Sequence, residues 1–557
     1  MGNKTAAFRA MRPKAVQHRG QFTLAALIGG MILSGPVLAQ QDGGGERGAG
    51  RGIVSQPIAQ PLSAIDWLND RSTLPPAPER RETRPLVGPL PLSEPAVTDS
   101  AVTPDVTVTQ LDSAGLDAVG LLPSSVSGLP ISLWQGSRTE DLVRLLTQPS
   151  RPGLPAMQAL LYTVLLAEAD APLDAGRDSL LLQARIDALM RLGAVEPAQA
   201  MLERAGPENP ALFSRWFDAT LLTGAEDTAC AALVRAPHLS PSFAAQIFCT
   251  ARRGDWRGAM LTLDTARALE AMPAFEADLL ARFMDPELFE DEPLPRAPVR
   301  PSPLVFRLYE ALGEPLPTAP LPRAFAVAEL RDTAGWRSQI EAAERLASSG
   351  ALAPNRLLGL YSERQPAASG GMWDRVAAVQ RFDAAMRASD PEAVERTLPG
   401  VWAAMLAADL GVAFASLYSP ALIQMAPSGP VGELAYRIAL LGPDYEKAAL
   451  ALGEAHPGLA FTTAIARGQV SESAPNGMIQ QAIQDGFTAT QAPAPMQALL
   501  SEQRLGETIL RAIDMVQRAA QGDPADLGNG LATLRAIGLE DAARRAALQL
   551  ILLDRRS

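Results

Sequence analysis

LMRLGAVEPAQAML (189–202), ATLLTGAEDTACAAL (219–233) and CTARRGDWRGAMLTL (249–263) share one plan, helix, glycine, helix. Gly193, Gly224 and Gly254 stand 31 and 30 residues apart. Five residues after each comes an alanine, Ala198, Ala229 or Ala259, and nine after each a leucine, Leu202, Leu233 or Leu263. The glycine lets a helix stop in a left-handed turn, the alanine permits a close helix crossing, and the leucine enters the core. Before Gly193, Leu181, Ala184, Ala188 and Leu192 recur at helical spacing, with Leu182, Ile186 and Leu189 beside them. That apolar face is too wide for a helix packed on one side only. A repeat of this length buries such faces by stacking on its neighbours. The expected fold is all-α, an α-solenoid of stacked antiparallel helical hairpins.

Outward from the repeats the chain changes character. Residues 1–39 have the form of a secretory signal: Lys4, Arg9, Arg12, Lys14 and Arg19, then the apolar run FTLAALIGGMILSG, then Val37-Leu38-Ala39. Cleavage is expected between Ala39 and Gln40. The leader holds five basic residues and no acid, so the remainder carries −17 where the whole chain carries −12. Such an acidic body does not suit nucleic acid or an anionic membrane surface. Residues 40–130 open with QQDGGGERGAGRG and continue through Pro75, Pro76, Pro78, Pro85, Pro89, Pro91 and Pro95. Proline at this density sustains neither helices nor central strands, so the segment reads as a disordered tether. Two islands, Ala64–Leu68 and Val106–Thr109, interrupt it.

Helical pattern begins near Ile131 and fills an N-terminal repeat region, 131–284. Residues 285–301, DPELFEDEPLPRAPVRP, read as an exposed acidic, proline-rich connector. A C-terminal helical region, 302–557, follows. Within it, Val401–Ala426 is long enough to cross a membrane and carries a single charge, Asp409. An acid in a lipid-facing helix costs at least about 2.5 kcal/mol. Two buried helices joined near Gly411, with Pro420 interrupting the second, explain the run without a membrane span.

Cys230 and Cys249 are the only cysteines. Export would place them where disulfides persist. Their midpoint falls in the turn around Pro237, His238 and Leu239, with Ser240 the expected N-cap of the next helix and Pro241 its first residue. Residues equidistant from the turn of an antiparallel hairpin lie opposite one another, so a bond between them is expected.

Catalytic signatures are missing from the sequence. Neither His238 nor His456 has a second ligand at metal spacing, and no G-x-S-x-G, phosphate loop or calcium loop occurs. No metal, cofactor or catalytic residue is assigned. The acidic run Glu290–Glu292 sits among prolines, where a rigid catalytic geometry is hard to hold.

RPSPLVFRLYEALGEPLPT (300–318), ASGGMWDRVAAVQRFDAAM (368–386) and FCTARRGDWRGAMLTLDTARALE (248–270) resemble a group of exported bacterial helical proteins of unknown function. Some of these are labelled "antifreeze glycopeptide polyprotein", but the Ala-Ala-Thr arrays of antifreeze glycopeptides do not occur here. The hairpins also resemble tetratricopeptide repeats, stacked helix pairs that bind proteins. Trp216 and Phe217 offer the early aromatic of that repeat once; other places lack it. Export and the arrayed hairpins, whose extended concave surface suits a partner's helix or peptide, give the expected function: a non-catalytic periplasmic or secreted scaffold that binds a protein or a cell-envelope component. The alternative is a cell-wall hydrolase similar to lytic transglycosylases, whose helical members place a catalytic glutamate before serine. Glu472-Ser473 is the one such pair in the body, and Ala-Pro-Asn-Gly follows it in place of that family's pattern.

Overall fold

The computed structural model describes residues 115–148, 153–290 and 292–553. The signal segment with its Ala39–Gln40 junction and both islands of the tether lie outside the described residues. All the regular structure described is helical.

The repeats come first. After α1 (Thr139–Thr147) and α2 (Pro155–Leu166), three hairpins follow. They are α3 (Leu180–Leu192) with α4 (Val195–Ala205), α5 (Pro210–Thr223) with α6 (Glu226–Arg235), and α7 (Phe243–Arg252) with α8 (Trp256–Ala268). Gly193, Gly224 and Gly254 take φ of 89°, 83° and 88°, the left-handed backbone that stops the first helix of each pair. Ala198, Ala229 and Ala259 are fully buried, as are Leu202, Leu233 and Leu263. Each hairpin packs on the next through α4 against α5 and α6 against α7.

The cap of α7 differs from the expected one. Ser242, not Ser240, caps the helix: its hydroxyl accepts the Ala245 N–H at 3.3 Å. Ser240 Oγ instead accepts the Ser242 N–H at 3.2 Å, and Pro241 lies before the helix, not in it.

The disulfide forms. Cys230 on α6 and Cys249 on α7 are joined, with their Cα atoms 4.7 Å apart. It ties the second hairpin to the third.

α9 (Ala274–Met284) packs on α7 and α8 as the first helix of a fourth hairpin. No second helix follows it. The chain turns through Pro286–Phe289 into the proline-rich run and comes back along the repeats. Most of that run is exposed, as expected, and it is pinned to the body at two points. Arg282 donates to the Glu292 carboxylate at 3.0 Å, and the Tyr309 hydroxyl to the Pro295 carbonyl. α10 (Pro303–Ala311) packs on α5 and α9, and the 3₁₀ segment Arg323–Leu330 packs on α3 and α5. The first helices of the first two hairpins are thus covered by the chain itself. Phe306 and Phe325, 5.3 Å apart, share a core with Val195, Ala219 and Leu222. Arg307 donates to the buried Glu226 at 2.7 Å, locking the return segment to α6.

Six helices extend this second core: α11 (Trp336–Ala347), α12 (Pro354–Ser362), α13 (Met372–Arg387), α14 (Pro391–Leu406), α15 (Gly411–Met425) and α16 (Gly429–Ala439). The apolar run 401–426 is divided between α14 and α15, as its Asp409 and Gly411 require. Pro420 does not interrupt α15 but sits within it. No helix among the described residues is long and apolar enough to cross a membrane.

The remaining helices are α17 (Tyr445–Leu452), α18 (Ala460–Ala466), α19 (Gly477–Thr488), α20 (Ala494–Ser501), α21 (Leu505–Ala520), α22 (Leu527–Ala536) and α23 (Glu540–Leu552). They rejoin the first core, with α21 packed on α1 and α2 and α23 packed on α2. The Gly506 N–H donates to the Leu133 carbonyl at 2.9 Å. A Cβ at Gly506 would stand 2.5 Å from the Trp134 ring, so only glycine admits this approach. Gln549 accepts the Ala156 N–H at 2.8 Å, and Arg504 pairs with Asp141 at 3.1 Å. The end of the helical run is therefore closed onto its beginning. The described residues of the regions 131–284 and 302–557 belong to one compact unit, and the connector does not divide it.

The structured body also starts earlier than residue 131. Residues 115–130 are anchored to it and are not part of a disordered tether. Leu121 and Leu122 N–H groups donate to the Leu166 carbonyl, and Asp117 accepts the Leu182 N–H at 2.7 Å. Arg185, wholly buried, donates to the carbonyls of Asp117, Val119, Leu165 and Ala167. Gly and Pro signals set the boundary from sequence, whereas two buried charges set it in the fold.

Candidate functional site

The residues that the sequence offered for chemistry do not converge. His238 is exposed on the turn Pro237–Leu239. His456 stacks on the Tyr436 ring with centroids 4.8 Å apart. Glu472 and Ser473 are exposed on the loop after α18, and Ser473 donates its N–H to Ser471. Glu290 is exposed, and Glu292 is held by Arg282. Among the described residues no cluster of His, Cys, Asp and Glu is placed to hold a metal. Of the residues singled out, only the two cysteines meet.

Closing the helical run leaves a cavity that the sequence did not announce. Its volume is about 410 Å³, within the range of roughly 300–1,000 Å³ usual for small-molecule sites. It lies where α2, the start of the 3₁₀ segment Arg323–Leu330, the α14–α15 joint and the ends of α21 and α23 meet. Leu154, Leu406, Val412, Ile479 and Leu550 supply apolar wall. Gln158, Arg323, Ser348, Asp409 and Gln549 supply the polar groups.

These polar groups come from distant parts of the chain, so no local motif marks them. Gln158 is 5% exposed, and its side-chain oxygen is buried without a hydrogen-bond partner. No carboxylate pairs with Arg323 among the described residues, where Tyr162 is its one favourable electrostatic partner, and its Nε is buried without a hydrogen-bond partner. Burial pulls the Arg323 pKa down, opposed by Tyr162, whose own hydroxyl burial pushes up. Arg345 stands near enough that, after burial, the Arg323 charge lowers its pKa further. Arg345 is itself committed to the carbonyls of Thr318 and Leu321. Asp409 sits in left-handed backbone, φ 60°, at the α14–α15 joint.

A second titrating group lies in the repeats. Asp218, half-buried on α5, has its pKa pushed up to about 7 by burial, with Arg215 opposing and Asp187 reinforcing. Arg215 spends its fork on Asp187, at 2.8 and 2.9 Å. A carboxyl with a raised folded-state pKa binds its proton more tightly when folded. Stability is then full below the unfolded pKa, near 4, and declines as pH rises towards 7. Asp218→Asn should flatten that decline and stabilise the protein at pH 8 by about 2 kcal/mol, the full shift being discounted for solvent reaching the group. Thermal unfolding of both proteins between pH 4 and 8 checks this; parallel curves would refute it.

Compared with family models, curated proteins and solved structures, the chain matches none.

Proposed function

We propose that this chain is an exported, non-catalytic helical scaffold of the periplasm, or secreted, that binds a protein or other cell-envelope component. One observation carries the reading, the uncapped end of the repeat stack. Helical arrays need a polar outer face on their terminal repeat. Here the fourth hairpin has only its first helix, and Leu261 and Leu269, at α8 and its C-cap, are each 69% exposed. Trp256, 48% exposed, opens the same helix. Apolar side chains left at the end of a stack mark a surface that another molecule covers. The first helices of the first two hairpins, by contrast, are already occupied by the return segment. The disulfide agrees with an oxidising compartment, and the basic leader supplies the route.

Photo-crosslinking amino acids at Leu261 and Leu269, in cells, test the proposal. Exported protein beginning at Gln40 should give one dominant adduct from both positions, lost when the other position and Trp256 carry glutamate. Equal adducts from an exposed site elsewhere, such as Arg437 on α16, would sink it.

A further inference from the structure

We propose that the closure cavity binds a small amphiphilic anion, its carboxylate at Arg323 and its apolar body against Leu154, Leu406, Val412, Ile479 and Leu550. Gln549, in the cavity wall, is 4% exposed. Its side-chain oxygen accepts the Ala156 N–H at 2.8 Å, which fixes the amide's orientation. The amide NH₂ is therefore a donor at the cavity wall, and none of the described residues accepts from it. Arg323 adds a cation without a counter-ion among the described residues, in surroundings made more positive by Arg345.

A partly buried guanidinium is stable when an anion meets it, and its planar fork matches a carboxylate in two-point contact. Asp409, the one carboxylate in the lining, is itself engaged. Among the described residues, then, none is left to serve as the anion. Apart from these groups, Gln158 and Ser348 the side chains of the wall are aliphatic, which fits a hydrocarbon body. This site is independent of the surface on α8, and either can fail alone.

Calorimetric titration of the exported protein with sodium decanoate, kept below micelle-forming concentration, tests the assignment. One saturable site per chain is expected. Decanol, equal in length and uncharged, should bind about tenfold more weakly, the worth of a charge-assisted hydrogen bond. Arg323→Gln should lower decanoate affinity by a similar factor and leave decanol unchanged. Arg323→Lys should retain part of the preference and shows that loss of charge, not of fold, is responsible. Ala520→Trp, at the exposed end of α21 and in the cavity lining, should weaken both ligands. Equal affinity for decanoate and decanol, full decanoate binding by Arg323→Gln, or binding without saturation would each overturn it.

Discussion

Arg185→Met should destabilise the protein by about 5 kcal/mol. Methionine matches the arginine stem in bulk but donates nothing. Four carbonyls, those of Asp117, Val119, Leu165 and Ala167, would lose their donor inside the core. Asp117, nearly fully buried, would also lose its opposing charge. Burial pulls Arg185 down to about 10, so it remains a cation at neutral pH and its bonds are charge-assisted. The guanidinium also lies 5.8 Å from the centre of the Trp134 ring, the ring that receives Gly506. The damage should therefore reach the closing contact. Arg185→Lys should recover little, because one ammonium cannot reach all four carbonyls, which lie on two separate segments. Urea unfolding decides the matter: a stability within about 1 kcal/mol of the parent would show the network to be dispensable.

Loss of the Cys230–Cys249 bond should cost about 3 kcal/mol, the chain-entropy value for a loop of this length. Cys230→Ser, Cys249→Ser and the double variant should lose nearly the same stability, because each removes the same cross-link. Additive losses would mean that each sulfur matters separately, as packing volume. Both cysteines are fully buried, so reductant should act on the native protein only as fast as the α6–α7 pair opens. Thiol counting on denatured, unreduced protein should find no free cysteine; two per chain would refute the bond.

What could be read from the sequence was whatever rests on short-range geometry. The glycine, alanine and leucine of the repeat reported their roles because each is fixed by its own hairpin. The disulfide followed from symmetry about a single turn. The aromatic position was harder to see. Phe217, Phe248 and Phe283 form a ladder across α5, α7 and α9, at 6.4 and 5.6 Å, but their spacing in sequence drifts and hides it. The anchoring of residues 115–130 was invisible because its cause, Arg185, sits in the middle of an apolar helix. The cavity was invisible for a stronger reason. Gln158, Arg323, Asp409 and Gln549 become neighbours only when the last helix reaches α2, an event no local pattern encodes.

That meeting of α23 with α2 has a genealogical side. An open stack of hairpins can gain or lose a unit at either end, and its neighbours need not adjust. Here the number of units is fixed by arithmetic. Adding or removing one hairpin would carry Trp134 away from Gly506 and Ala156 away from Gln549 by the width of a helix pair. Descent with a changed copy number is barred, and variation is left to single residues and to loops outside the closing contact.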